Sequence, residues 1–278
     1  MKTVFITGAT AGIGKVTARE LARQDFHVII HGRDAKKTQD CVEELKKETR
    51  NTKIDFLVGD LSNLEDARRI AKEYKERFTA LDILINNAGG VYQKRELTPE
   101  GYEKTLVTNH LSHFIITNQL LDLLKRSAPS RIINVASISH FQGKWNPGDI
   151  NFSKGYGVLK AYSNSKLYNV LFTKYLSELV KQDGITVNCL HPGVVKTKIG
   201  HKNTSWLGGI LWGSFTTFKG ISEEEGAKTT LFLATSPEGG KITGKYFDKS
   251  KEVSSSQISN DKKVAEDLWN LSKQMTNL

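Results

Sequence analysis

Seven short β-branched runs punctuate this chain at near-regular intervals: KTVFITG (2–8), HVIIHG (27–32), IDFLVGD (54–60), LDILINNAG (81–89), RIINVAS (131–137), ITVNCLHPG (185–193) and GKYF (244–247). Most of them end in Gly, Asp, Asn or Ser. Between them lie stretches with apolar residues three and four apart, such as Val16, Leu21 and Ala22, or Leu106, Leu111, Phe114, Ile115 and Leu121. Strands that are apolar without alternation are buried on both faces, and helices between them imply parallel pairing. The expected fold is α/β, a doubly wound parallel sheet of about seven strands with helices on both faces. At 278 residues the chain fits one such domain, and no linker or internal repeat divides it.

Two segments depart from the alternation. Residues 138–161 form a long polar connection after the fifth run. Residues 200–220, within a variable stretch at 194–222, combine two tryptophans, two phenylalanines and five glycines. That composition suits either an apolar flap near a ligand or membrane surface, or a loop packed on the domain.

The net charge is +10, but the lysines are dispersed and form no single run. A solvated surface explains this better than a nucleic-acid interface. Cys41 and Cys189 have no metal-like spacing and are expected to be reduced thiols on a helix and a strand, so no metal site is expected. No apolar run reaches the length of a membrane span, and the first residues turn into glycines too early for a signal peptide. A soluble, cytoplasmic protein is the expectation.

TGATAGIG (7–14) follows the first strand and opens a helix. Glycines there let the backbone approach a pyrophosphate, while the helix N-terminus offers free N–H groups and the positive end of its dipole. Gly8, Thr10, Gly12, Ile13 and Gly14 are therefore read as dinucleotide contacts, and the sheet as Rossmann-type. The second strand ends His31-Gly32-Arg33-Asp34, with glycine where an acidic ribose ligand selects NAD. Arg33 can bind a 2′-phosphate bidentately and Lys15 adds a second cation, which favours NADP(H). Asp34 reads as the N-cap of the next helix. Asp60 and Leu61 close the third strand, where a carboxylate can accept the adenine amino group or simply make a turn.

GYGVLKAYSNSK (155–166) carries Tyr-x-x-x-Lys twice, at Tyr156/Lys160 and Tyr162/Lys166. A tyrosine with a pKa near ~10 is a poor acid–base group at neutral pH. An ammonium ~4 Å away at an effective dielectric of ~20 contributes up to ~4 kcal/mol, enough to lower a phenol by ~3 units. Tyr162 and Lys166 share a face of an amphipathic helix, whereas Gly155 and Gly157 disfavour a helix around Tyr156. The pair is therefore assigned to Tyr162/Lys166, and Tyr156 to the substrate entrance or to an exposed loop.

TGxxxGIG (7–14), Asp60-Leu61, Asn86-Asn87-Ala88-Gly89, Asn109, Ser137, Tyr162-x-x-x-Lys166 and Pro192-Gly193 occur in one order. This set resembles the short-chain dehydrogenase/reductases over roughly residues 1–250. GIGK, GRD, TNHLSHF, SAPSRIINVAS and AYSNSKL resemble its retinol dehydrogenase-like branch. The resemblance implies a single dinucleotide-binding and catalytic domain over 1–278, and NADP(H)-dependent interconversion of an apolar ketone or aldehyde with its alcohol. It makes Tyr162 the acid/base, Lys166 its partner, Ser137 the substrate-oxygen donor and Asn109 the holder of a relay water. Ser139 is a rival to Ser137. Asn87, Ala88, Gly89, Pro192, Gly193, Val195 and Thr197 are implied to line the cofactor; His110, His113, His140 and His191 are read as structural, since the Tyr–Lys pair already supplies the proton chemistry. Expected partners are a small apolar carbonyl or alcohol, no nucleic acid, a membrane surface touched through 200–220, and a second copy in a homodimer. A non-catalytic dinucleotide sensor or scaffold on the same fold is the alternative.

Overall fold

The computed structural model describes residues 1–194 and 220–278. Its sheet has the strand order β3-β2-β1-β4-β5-β6-β7-β8. The strands are β1 (Thr3–Ile6), β2 (His27–Gly32), β3 (Ile54–Val58), β4 (Ile83–Asn86), β5 (Ser130–Val135), β6 (Ile185–His191), β7 (Tyr246–Asp248) and β8 (Lys251–Val253). β1 through β7 run parallel, each at the place of one of the seven apolar runs. Gly8, Asp60, Gly89, Ser137 and Gly193, which end five of the runs, lie beyond the ladders in the loops along the carboxyl edge, while Gly32 pairs with Val58 inside β2.

β8 is one strand more than the runs imply, and it pairs antiparallel with β7. The turn between them uses Lys249 and Ser250, both at positive φ. Such a hairpin is ordinarily marked by Asn or Gly. Without them, and with β8 exposed throughout, the sequence carries neither the turn signal nor the apolar signal.

Alternate strand residues feed the two faces. Val4, Ile6, Val28, Ile30, Ile83 and Ile85 pack under α1 (Gly12–Ala22) and α2 (Ala35–Thr49). Phe5, Ile29, Leu57, Leu84 and Ile132 pack under α3 (Leu64–Arg77), α5 (Ser112–Arg126) and α6 (Val158–Leu179). Each fully buried large side chain contributes roughly 1.5–3 kcal/mol, so both layers are needed to hold the sheet. α4 is a single turn (Lys104–Leu106) that runs into a π-helical turn at Val107–Leu111 and then into α5. α7 (Glu223–Thr235) and α8 (Lys262–Thr276) complete the described helices. Among the described residues, no helix is long and apolar enough to cross a membrane. Cys41 on α2 and Cys189 on β6 are free, buried thiols.

Helix capping differs in one informative way. α2, α3, α7 and α8 are capped by Asp34, Asn63, Ser222 and Asp261, whose side chains accept from their own first-turn N–H groups. α1 follows Ala11 and has no side-chain cap and no acidic residue in its first turn. Its unpaired N–H groups and positive dipole end face the crevice where strand order reverses between β1 and β4.

Candidate active site

The floor of the crevice is the glycine loop after β1. Gly8 and Gly12 both have φ near +60°. A Cβ on Gly8 would lie 2.8 Å from the Ala88 Cα, and one on Gly14 would lie 2.5 Å from the Gly8 carbonyl oxygen. Both contacts are tighter than side chains tolerate, so loop and β4 terminus approach as only glycines permit. Asn87 secures this, its Nδ2 donating to the carbonyls of Thr7 (2.8 Å) and Gly8 (3.0 Å). Ile13 is buried beside Val16 and Ala227.

At the end of β2, Gly32 has a packing role. A Cβ there would collide with the Thr38 hydroxyl and the Thr10 methyl, so an acidic side chain has no room. Arg33 Nη1 lies 3.9 Å from Asp60 Oδ2, and both side chains are substantially exposed. Asp60 Oδ1 accepts from the Ser62 N–H (2.9 Å), so this carboxylate also makes the turn after β3. Leu61 is buried, and its carbonyl accepts from the Ser112 hydroxyl. Asp34 is the N-cap of α2, as its position implies. Lys15 is not the free second cation expected, because its ammonium donates to both oxygens of Glu44 at 2.7 Å. α1 packs along α2 and brings the two together. Such a half-exposed pair contributes at most ~1 kcal/mol.

The far end holds the tyrosines. α6 begins at Val158 after Gly157, one turn earlier than the amphipathic pattern shows. Tyr156 lies before the helix, so it shares no face with Lys160; its hydroxyl donates to the Tyr92 carbonyl (2.7 Å). Tyr162 and Lys166 are both helical, and the Lys166 ammonium is 5.6 Å from the Tyr162 ring centroid. Lys166 is only 4% exposed and donates to the Val135 carbonyl at 2.9 Å. Burial lowers its pKa from 10.5 to about 8. Burial also raises the Tyr162 phenol above its ordinary 10, with Ser137 acting in the opposite direction. The lysine therefore does not by itself bring the phenol toward neutrality, because the ammonium is held by a carbonyl and desolvation outweighs its pull.

Ser137 lies two residues past the end of β5. It faces Tyr162 and also caps the 3-10 turn Ile138–Gln142, accepting from the Ser139 N–H at 3.2 Å. Ser139 is bound to Ser137 (Oγ–Oγ 3.3 Å). Asn109 lies in the π turn, its Oδ1 accepting from the Gly90 N–H (2.7 Å) and its Nδ2 donating to the Gly90 carbonyl (3.1 Å). Gly89 lies against both groups: a Cβ there would be 3.4 Å from Asn109 Oδ1 and 3.5 Å from Lys166 Nζ. Pro192 and Gly193 follow β6, Gly193 at φ +88° against Ile221. Val195, Thr197 and the segment 200–219 lie outside the described residues.

Three side chains at this site are not among the site residues read from the sequence, although Thr7 opens the TGxxxGIG motif and His113 lies in TNHLSHF. Thr7 Oγ1 accepts from the N–H groups of Asn87 (2.9 Å) and Ala88 (3.0 Å) and so fixes the β4 terminus. His31 accepts from the Gly8 N–H at Nδ1 (3.2 Å) and donates from Nε2 to the Gly59 carbonyl (2.9 Å). Burial lowers its pKa to about 4, which preserves this neutral tautomer. His113 bridges Thr7 and Asn109, at 3.1 and 3.2 Å. A histidine in an apolar run is legible as buried; which atoms it joins is not.

A family model described as short chain dehydrogenase matches residues 2–208. Retinol dehydrogenase 13 of Homo sapiens is 40% identical over 286 residues, covering 100% of this chain and 85% of that protein. Polyprenol dehydrogenase of Homo sapiens is 35% identical, covering 99% and 85%. Among solved structures, an uncharacterised protein from Mycobacterium paratuberculosis superposes with TM-score 0.80 at 31% identity, over 100% of this chain and 94% of that one. The Pseudomonas aeruginosa RhlG/NADP active-site complex superposes at 0.70 with 27% identity, over 88% and 93%. Uncapped α1, the glycine floor and the Tyr162–Lys166 helix thus stand in a chain similar to dehydrogenases along its whole length. The chain belongs to the short-chain dehydrogenase family, oxidoreductases that bind a nicotinamide dinucleotide, and within it to the retinol dehydrogenase-like branch.

Proposed function

We propose that this protein is an NADP(H)-dependent oxidoreductase that interconverts an apolar aldehyde or ketone with its alcohol, using Tyr162 as acid/base. The observation that carries this reading is the buried Lys166 ammonium one helical turn from Tyr162, with Ser137 opposite the same phenol. The residues fit a dinucleotide: α1 lacks any side-chain cap of its own, and it is entered by a glycine loop with Gly8 and Gly12 at positive φ. A bound nicotinamide would supply or accept the hydride. Tyr162 would donate its hydroxyl proton to the developing alkoxide, and Ser137 would hold the substrate oxygen. Lys166 would stabilise the resulting phenolate, return a proton to it from its ammonium and, with Asn109 beside it, regain one from solvent. The Gly8, Thr10, Gly12, Ile13 and Gly14 loop would receive the diphosphate, with Asn87, Ala88, Gly89, Pro192 and Gly193 flanking it. Arg33 would bind the 2′-phosphate, and Asp60 and Leu61 the adenine.

Ile138 and Phe141, each 49% exposed and immediately past Ser137, offer apolar surface to the substrate. The names of the relatives, retinol and polyprenol dehydrogenases, are consistent with a long apolar alcohol. Turnover of NADPH and NADH with a panel of apolar aldehydes and ketones tests the reading. Arg33→Ala should cut the preference for NADPH over NADH by about 10-fold or more, the scale of one charge-assisted contact. No turnover by pure protein, or Tyr162→Phe equal to wild type, would overturn it. Since both Tyr162 and Lys166 are present, a non-catalytic scaffold is the weaker account.

A further inference from the structure

His113 takes no part in the proton chemistry proposed above, yet both of its ring nitrogens are engaged between the two halves of the site. Thr7 Oγ1 accepts two backbone N–H groups, from Asn87 at 2.9 Å and Ala88 at 3.0 Å. Its own hydrogen is then free to point at His113 Nε2, 3.1 Å away, a shorter path than the Ile85 carbonyl at 3.4 Å. With Nε2 accepting, Nδ1 carries the proton and donates to the Asn109 carbonyl at 3.2 Å. That carbonyl belongs to the π turn Val107–Leu111, where the wider winding changes which carbonyls are bonded along the helix.

The chain of bonds continues. Asn109 Nδ2 donates to Ser165 Oγ at 3.0 Å, and Ser165 Oγ donates to the Tyr162 carbonyl at 2.7 Å. The hydrogen bonds on the two sides of Asn109, one at its backbone carbonyl and one at its side chain, are joined through its covalent frame and together link the glycine loop to the backbone of Tyr162. His113 is 2% exposed. Any buried histidine needs partners for its ring nitrogens; here those partners lie on the two halves of the site, Thr7 on one side and the Asn109 carbonyl on the other. Burial, with Lys166 adding to it, lowers the His113 pKa to about 3, so the bridging tautomer persists through neutral pH.

We propose that His113 is a positioning residue that couples the dinucleotide loop at Thr7 to the Tyr162 turn through the Asn109 carbonyl and Ser165. The inference rests on the reading of Tyr162 as the acid/base. Its test is a mutant cycle on NADPH-dependent aldehyde reduction with Thr7→Val, His113→Phe, the double variant and His113→Gln, beside Tyr162→Phe. His113→Phe should lower kcat about 10- to 100-fold, the scale of a misplaced reacting group, with a change in KM below about 3-fold. His113→Gln, which keeps a donor and an acceptor a similar distance apart, should recover most of that loss. The double variant should be no worse than the poorer single one. Losses that multiply, or an unchanged kcat with a lowered Tm, would reduce His113 to a packing residue and overturn the proposal.

A second measurement needs no turnover. In 15N-histidine NMR spectra, His113 should show one protonated and one unprotonated nitrogen, and Ser165→Ala should shift both signals. No shift overturns the coupling. Should Tyr162→Phe turn over like wild type, the acid/base reading fails, and the spectra still decide whether Thr7, His113 and the Tyr162 turn are coupled.

Discussion

Tyr156/Lys160 and Tyr162/Lys166 have the same spacing and lie on either side of the start of α6. The first tyrosine precedes the helix and gives its hydroxyl to the Tyr92 carbonyl, while Lys160 is exposed. The second pair is inside the helix, with the lysine buried against the Val135 carbonyl and the phenol facing Ser137. Spacing only permits a shared face, and burial is what gives the ammonium a pKa near the working range. In water the Lys160 charge is screened and cheap to hold. At Lys166 the same charge costs folding energy and helps to lower the pKa of His113.

The largest expected break in this comparison is kinetic. Tyr162→Phe should lower kcat by about 100- to 10,000-fold, the range for loss of a general acid. Tyr156→Phe removes one hydrogen bond, to the Tyr92 carbonyl; it should change kcat less than about 2-fold and act mainly on KM. Equal losses of kcat from the two variants, in steady-state assays, would show the assignment wrong.

The lysines should differ in the sign of their effect on stability. The folded-state pKa of Lys166 is lowered from 10.5 to about 8. Between these values the unfolded chain binds a proton that the folded chain does not, so this group makes stability rise as pH climbs from about 8 to 10.5. Below 8 the full cost of the buried charge is present. The shift corresponds to roughly 3 kcal/mol, reduced by the ~1 kcal/mol bond to Val135 that a methionine loses. Lys166→Met should therefore stabilise the cofactor-free protein at pH 7 by about 1–2 kcal/mol while abolishing turnover. Urea unfolding at pH 7 and 9.5 should show the excess shrinking at the higher pH. Lys160→Met should stay within about 0.5 kcal/mol of wild type at both.

Buried neutral histidines act on the acid side. His31 and His110 are each lowered to about 4, and His113 to about 3, by burial. Their contribution is present above the unfolded value near 6.5 and is lost as pH falls toward 4, because the unfolded chain then takes up protons the native state refuses. Denaturant midpoints measured from pH 7 to 4.5 should fall, and fall less steeply in His113→Gln. The smallest effect lies between the two tyrosines. Gly157 caps α6 without a side-chain bond, and a Cβ there meets only the flexible Lys160 chain at 3.3 Å. Gly157→Ser should add a few tenths of a kcal/mol, read as a small rise in Tm, with kinetics unchanged.

Much of the molecule was legible before folding. β1 to β7 follow from apolar continuity, and the place of the loop before α1 from the glycines at 8, 12 and 14. β8 was not legible, because Lys249-Ser250 turns the chain without Gly or Asn. Arg33 and Asp60 were legible as rim charges, whereas the capture of Lys15 by Glu44 depends on two helices lying side by side. Ser137 and Asn109 could be picked by position, but their partners could not.

By itself the sequence determined the parallel sheet, the place of the dinucleotide loop and a Tyr-x-x-x-Lys spacing at two addresses. These are local properties: periodicity, missing Cβ atoms and helical pitch act within a few residues. Tertiary structure alone decided that Lys166 is desolvated, that Tyr162 sits above its ordinary pKa, and that Thr7, His113 and Asn109 share hydrogen bonds across more than a hundred residues of chain. Desolvation and bond partnership depend on what the rest of the fold brings to a side chain, and short-range pattern does not encode that.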